Sequence, residues 1–193
     1  MNWLFAIVYT TFLPPTDCVA AVFVIYLCVQ TINYAKGRGL VRVLVVSDVH
    51  GNSRALERVI EAQPTASAVL FLGDGLRQAQ DAADRHPDLP FYMVPGNCDI
   101  GAAGPFSREE CFGGKRFFFT HGHHYDVKYG LYRLDLVARE RKADIVLFGH
   151  THQPLSDYAD GLYMLNPGSL GYEERYAYVD VTPGGIMPVL LRL

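Results

Sequence analysis

From residue 41 to residue 193 the sequence predicts an α/β layered domain, on three observations. Short apolar runs alternate with amphipathic segments, the order expected when helices cover a sheet. The runs are continuous rather than alternating, as in residues 43–46 and 145–148, so the strands are expected to be buried on both faces. Five of the runs are followed at once by a residue carrying an oxygen or imidazole donor. A chain of 193 residues, half of them apolar, is long enough for one domain with a sizeable core.

The first strand, residues 43–46, empties into Ser47-Asp48-Val49-His50-Gly51-Asn52. Leu56, Val59 and Ile60 recur at helical spacing, so a helix is expected from Asn52 or Ser53 to just before Pro64. Residues 68–72 form a second strand, ending in Gly73-Asp74-Gly75. The polar residues 76–86 read as an exposed helix closed by Pro87, with His86 solvated on its surface. Residues 91–94 make a third strand and lead into Pro95-Gly96-Asn97-Cys98-Asp99. Residues 110–112 and 115–120 read as a hairpin about Gly113-Gly114, and its second strand runs into His121-Gly122-His123-His124. Leu131, Leu134, Val137 and Ala138 place a helix between Lys128 and Lys142, and residues 145–148 form the strand that delivers Gly149-His150-Thr151-His152. The remainder is β-rich: residues 162–165, a turn at Asn166-Pro167-Gly168-Ser169, residues 176–181, and residues 186–191 about a Pro183-Gly184-Gly185 turn.

Residues 1–40 differ in composition from the rest of the chain. Two apolar blocks, residues 3–9 and 19–29, flank Pro14-Pro15, and the charges are Asp17, Lys36 and Arg38. Residues 18–29 are about twelve continuous apolar positions, short of the ~20 that span a bilayer, although Thr31, Ile32 and Tyr34 extend the run. A misplaced start, with translation beginning at the valine codon of residue 41 as bacterial genes allow, accounts for this segment best. A membrane anchor with its basic flank in the cytoplasm comes second, and a signal peptide, lacking a basic leader and a small-residue cleavage site, fits less well. On each reading residues 1–40 lie outside the domain of residues 41–193, and a membrane is a partner only if the anchor is real.

Formal net charge is −3, from 17 basic and 20 acidic residues, and the short run Arg139-Glu140-Arg141-Lys142 suits a helix surface. No nucleic-acid partner is expected. Cys18, Cys28, Cys98 and Cys111 form no paired motif and are expected to be reduced thiols of a cytoplasmic protein.

The donors that follow the five strands are Asp48 with His50, then Asp74, Asn97, His121, and His150 with His152. Ligands of open α/β sheets gather outside the carboxyl ends of the strands, so these seven residues are expected to converge on one crevice. Singly, Asp48 could cap a helix, Asn97 could make a turn and His121 could be a satisfied core histidine. Five coincidences at the same structural position argue for a shared purpose. Seven donors are too many for one catalytic zinc and suit two divalent ions that share a carboxylate.

In the motifs Asp48-x-His50, Gly73-Asp74, Gly96-Asn97, His121-Gly-His123 and Gly149-His150-Thr-His152 the chain resembles the calcineurin-like metallophosphoesterases, across residues 41–193. Its length, the Gly96-Asn97-Cys98-Asp99 variant and the turn at Asn166 look most like the small stand-alone phosphodiesterase branch of bacteria and archaea. The resemblance implies a two-sheet β-sandwich flanked by helices. It implies that Asp48, His50 and His152 hold one ion, that Asn97, His121 and His150 hold another, and that Asp74 bridges them. The activity implied is hydrolysis of phosphodiester bonds in a small phosphate ester, by a hydroxide that bridges the two ions. Manganese heads the ions that suit mixed oxygen and imidazole donors, with iron, nickel, zinc and magnesium as alternatives. A phosphomonoesterase, or a scaffold like the vacuolar-sorting retromer subunit of the same fold, is the rival reading, and a homo-oligomer is left open.

Beyond the ions, Asp99, and with it Asp126, is a candidate to orient the ligand imidazoles. Many members of the superfamily have histidine directly after the asparagine ligand, where this chain has Cys98, and a neutral thiol is a poor general acid. His123, His124 or a metal-bound water is then the candidate donor of a proton to the leaving group.

Overall fold

A computed structural model describes residues 39–193. The expectations for residues 1–38, and for Cys18 and Cys28 among them, lie outside the described residues. Within residues 39–193 no helix is long and apolar enough to cross a membrane.

The described chain forms two five-stranded mixed sheets packed face to face with helices outside. In the first sheet β1 (Val41–Val46), β2 (Ala66–Phe71) and β3 (Phe91–Met93) are parallel. Strand β9 (Arg175–Thr182) runs antiparallel to β1, and β10 (Gly185–Arg192) antiparallel to β9. In the second sheet β5 (Lys115–Thr120), β6 (Ile145–Leu147) and β8 (Leu162–Asn166) are parallel. Its edges are β4 (Ser107–Phe112), antiparallel to β5, and β7 (Leu155–Ala159), antiparallel to β8.

The continuous apolar runs are explained by three layers of core. Because side chains alternate across a strand, Val43 and Val45 of β1 face Phe117, Phe119, Ile145 and Leu147 between the sheets. Leu44 and Val46 point the other way, onto α1 (Ser53–Ala62) and α2 (Leu76–Arg85), where they meet Leu56, Val59, Ala79 and Ala82. On the far side Phe118, Val146 and Phe148 bury against Leu134 and Ala138 of α3 (Tyr132–Glu140). Helix α1 starts where its sequence says it should, with the Asn52 side chain accepting the Ala55 N–H at 3.1 Å.

Four features depart from the sequence expectations. Strand β7 reads as polar because it is a largely exposed edge, yet it is joined to β8 through Asp160-Gly161, both with positive φ (49° and 86°), the hairpin dipeptide that should have marked it. Strand β4 begins three residues earlier than the expected hairpin. A short helix, α4 (Leu170–Glu173), follows the turn at Asn166, capped by the Ser169 side chain. His86 is not merely solvated: its Nε2 lies 2.8 Å from Glu57 Oε2, joining α2 to α1.

Phe119, wholly buried between the sheets, sets the scale of the core. Phe119→Ala is expected to lower unfolding stability by ~3–5 kcal/mol, whereas Arg133→Ala on the surface should stay within ~0.5 kcal/mol. Denaturant titration of both variants checks this.

Candidate metal centre

All five donor-bearing loops leave the carboxyl ends of parallel strands, β1, β2 and β3 in one sheet and β5 and β6 in the other. They are laced together by main-chain hydrogen bonds. Asp48 N–H donates to Gly73 O at 2.9 Å, His50 N–H to Asp74 O at 3.0 Å, and Gly149 N–H to His121 O at 3.1 Å. Glycines in these loops have no room for a side chain, Gly149 and Gly96 least of all. A Cβ on Gly149 would stand 1.9 Å from Ser47 Oγ, and one on Gly96 2.0 Å from Asp74 Oδ1.

Asp48, His50, Asp74, His150 and His152 all take up left-handed backbone, with φ of 54°, 45°, 59°, 67° and 60°. Such a conformation is costly outside glycine and gathers at functional sites. Here it solves the spacing problem at residues 150 and 152, turning the chain so that imidazoles two positions apart need not point to opposite sides.

The side chains meet at short range. Asp48 Oδ1 lies 3.1 Å from His152 Nε2, 3.8 Å from His50 Nε2 and 4.0 Å from His121 Nε2. Asp74 Oδ2 sits between the two ends of the constellation, 3.5 Å from His121 Nε2 and 3.9 Å from His50 Nε2. The Nε2 atoms of His50 and His152 are 3.2 Å apart. His150 donates its main-chain N–H to Asp48 Oδ2, and its ring stands 5.0 Å from that of His121. Donor atoms gather in three groups, each mutually within 4.8 Å: Asp48 with His50 and His152, Asp48 with Asp74 and His121, and His50 with Asp74 and Cys98. His150 joins none of them, and Cys98 enters one although the sequence reading gave it no place as a ligand.

Two details test whether cations fit. His121 Nδ1 is 2.7 Å from Leu72 O, which fixes the proton on Nδ1 and leaves Nε2 as a bare acceptor. That acceptor faces the Asn97 Oδ1 acceptor at 3.1 Å. Asp48 Oδ1, for its part, is buried with no hydrogen-bond partner among the described residues. Two lone pairs aimed at each other beside an unsatisfied carboxylate oxygen are what a bound cation would relieve.

Protonation is set largely by burial. Burial pushes Asp48 up to about 6, against the bonds from Ser47 and His150. Burial pushes His121 down to about 4 despite Asp74, and burial with Lys128 takes His150 to about 4. Asp74 is raised by burial but held lower by His121 and the Cys98 N–H, with the net below its usual value. Cys98, beside the Asp74 carboxylate, is pushed up to about 11.

The supporting carboxylates require a correction. Asp99 reaches no imidazole; it accepts the backbone N–H of Asp74, Gly75, Leu76 and Gly96 at 2.8–2.9 Å, tying the Asp74 and Asn97 loops together and capping α2. Asp126 pairs with Arg133 on the surface. His123 stands beside His121, rings 5.3 Å apart, with its Nδ1 buried and unpartnered, and His124 is exposed against Phe106. The sequence reading missed Ser47, Asn166 and Ser169, whose side chains bond Asp48 Oδ2, Gly149 O and Asp48 O. The Asn-Pro-Gly-Ser turn was the signal for the last two.

Residues 41–183 match the model of the calcineurin-like phosphoesterase superfamily domain. The chain belongs to that superfamily. It is 34% identical over 132 residues to the probable metallophosphoesterase YsnB of Bacillus subtilis, covering 66% of this chain and 74% of that one. It is 30% identical over 132 residues to vacuolar protein sorting-associated protein 29 of Schizosaccharomyces pombe, with 66% and 71% covered. To the phosphodiesterase YfcE of Escherichia coli K12 it is 26% identical over 155 residues, with 68% and 80% covered. The two-sheet sandwich expected of calcineurin-like phosphoesterases is the fold observed.

His121 and His150 stay neutral down to about pH 4, whereas Asp48 takes up a proton that competes with cations. Its folded value is raised, so the carboxylate form prevails above about pH 6 and is lost as pH falls through 6. Protonation of Asp48 alone is expected to weaken cation binding ~10-fold per pH unit below that point. A carboxylic-acid infrared band in metal-free protein should titrate with that midpoint, vanish on cation addition and be missing in Asp48→Asn.

Proposed function

We propose that this domain is a dinuclear metal-dependent phosphodiesterase acting on a small phosphate ester. Asp48, His50 and His152 would hold one ion, Asn97, His121 and His150 the other, with Asp74 shared. The observation that carries the reading is the bare acceptor pair of His121 Nε2 and Asn97 Oδ1, 3.1 Å apart. Divalent ions held by these residues would supply a water of lowered pKa as nucleophile and would neutralise charge on phosphoryl oxygens. Manganese is the ion we favour, since oxygen and imidazole donors are mixed.

The remaining chemistry rests on the chain itself. Asp74 is aimed by the Cys98 N–H, which donates to its Oδ1 at 2.8 Å, and Asp99 fixes the two loops on either side. Neither Cys98 nor His123 is a strong acid at neutral pH. The Cys98 thiol at about 11 holds its proton too firmly, and His123, lowered by burial and by His124, is already neutral. His123 can still donate an N–H to a phosphoryl oxygen.

The likeness to the sorting-associated protein supports a second reading, a non-catalytic binding module, which predicts ions without turnover. A phosphomonoesterase is separated from a diesterase by a panel of both ester types.

Chelated protein is expected to lose activity and recover it with manganese, at about two ions per chain; full activity without metal would end the two-ion reading. Asp74→Asn should cost more than ~10²-fold, beyond what a supporting residue costs, and His123→Ala less. Equal losses would show the ligands to be misassigned.

With neither Cys98 nor His123 a strong acid, rate should depend steeply on the leaving group, so nitrophenyl diesters should far outpace alkyl diesters. Cys98→His should speed the alkyl substrates selectively, by up to ~10²-fold. A rate indifferent to leaving-group pKa, with chemistry limiting, would mean that another group already donates the proton.

A further inference from the structure

One exposed aromatic ring lies directly against the candidate ligands. Tyr172 is 70% exposed, yet its ring stands 4.9 Å from that of His50, tilted by 35°, and 5.5 Å from that of His152, tilted by 41°. Its hydroxyl makes no hydrogen bond among the described residues, so the polar end of the side chain does not dictate where the ring sits.

The exposure is built in, because the backbone beneath the ring is pinned. Tyr172 N–H donates to Ser169 Oγ at 3.2 Å, and that hydroxyl donates to Asp48 O at 2.9 Å. On the preceding residues, Gly171 N–H donates to Asp48 O and Leu170 N–H to Ser47 O, while the Leu170 side chain is wholly buried. A Cβ on Gly171 would stand 2.4 Å from Val49 O, so the helix α4 is pressed onto the Asp48 loop as closely as a chain allows. The ring is therefore held out over the edge of the centre by the same bonds that fix Asp48, with one side against imidazoles and the rest open to solvent. Leaving a large apolar ring in water forgoes its burial, so the ring has contact area to offer a ligand.

We propose that Tyr172 is a specificity-determining residue: it forms the wall against which a planar aromatic ester group, an aryl or a nucleobase-bearing substituent, stacks while the phosphoryl group sits among the donors. This rests on the phosphoesterase reading above and adds the substrate class. Stacking on a tyrosine tolerates any planar ring and typically strengthens binding by about tenfold, ~1.4 kcal/mol. A methyl ester, with no π-face, gains none of it.

The test uses the full chain loaded with manganese and two ligands whose C–P bonds the enzyme does not cleave, phenylphosphonate and methylphosphonate, with affinities measured by calorimetry. In the wild type phenylphosphonate should bind about tenfold more tightly. Tyr172→Ala should erase that gap while leaving methylphosphonate affinity and bound metal as they were, and Tyr172→Phe should keep it. A gap that persists in Tyr172→Ala, or no gap in the wild type, overturns the proposal and leaves the phosphoesterase reading standing. Equal weakening of both ligands in Tyr172→Ala, with metal lost, also overturns it, since the ring would then serve only to pack the imidazoles. Failure of both phosphonates to bind metal-loaded wild type removes the phosphoesterase reading, and this proposal with it.

Discussion

The buried Asp48 carboxylate is the constraint on which the arrangement of the loops depends. Its N–H is taken by Gly73, its carbonyl by Gly171 and Ser169, and its Oδ2 by Ser47 and the His150 N–H. One residue thus ties the loops after β2, β6 and β8 to its own. Removing a carboxylate from water is unfavourable by several kcal/mol unless its oxygens are satisfied, and here Oδ1 is left without a partner. The rest of the centre is organised around that open valence, since three imidazole Nε2 atoms stand within 4.0 Å of it.

Such a concentration of like donors persists only because the strands beneath it are anchored. Five of the seven candidate ligands sit in left-handed backbone, at ~1–2 kcal/mol each for residues other than glycine. Asp48 and Asp74 bear this more easily than the imidazoles, because a short polar side chain can bond nearby amides. The offset comes from the three apolar layers on which the strands lie, where β1 alone buries Val43, Leu44, Val45 and Val46 completely. Asp99 adds the polar part of the anchor. By accepting amides on both sides of the β2 and β3 loops, it holds in register two segments that no strand pairing reaches.

Which parts of the centre were legible in the sequence depends on which atoms do the work. Ligand candidates could be found because their side chains act and because each comes directly after an apolar strand; Asp48 with His50 and His150 with His152 both announce themselves that way. Asp99 was misread because its partners are main-chain N–H groups, which carry no signature in residue identity. Ser47 carried no signal, since its role lies in the Asp48 carboxylate it bonds, whereas Asn166 and Ser169 were marked only by the turn that holds them. The edge strand β7 was missed because exposure gives it a polar composition, although Asp160-Gly161 carried the turn. Periodicity revealed the strand runs but could not say that Leu44 and Val45 serve different layers, which only the stacking of two sheets decides.

The same geometry bears on whether the centre is built for its shape or for a cation. A surface used only for its shape would be served as well by donors that satisfy one another, and the nearest such arrangement here is a small change away: an imidazole proton moved from His121 Nδ1 to Nε2 would turn the opposed acceptors of His121 and Asn97 into a hydrogen bond. The Leu72 carbonyl, 2.7 Å from Nδ1, forbids that shift by claiming the proton for itself. The carbonyl belongs to the end of β2 in one sheet and the imidazole to the end of β5 in the other, so the packing of the two sheets is itself what keeps Nε2 bare. A fold whose layer contact withholds an available hydrogen bond beside an unsatisfied carboxylate is arranged to receive a cation, whether that ion then serves turnover or binding.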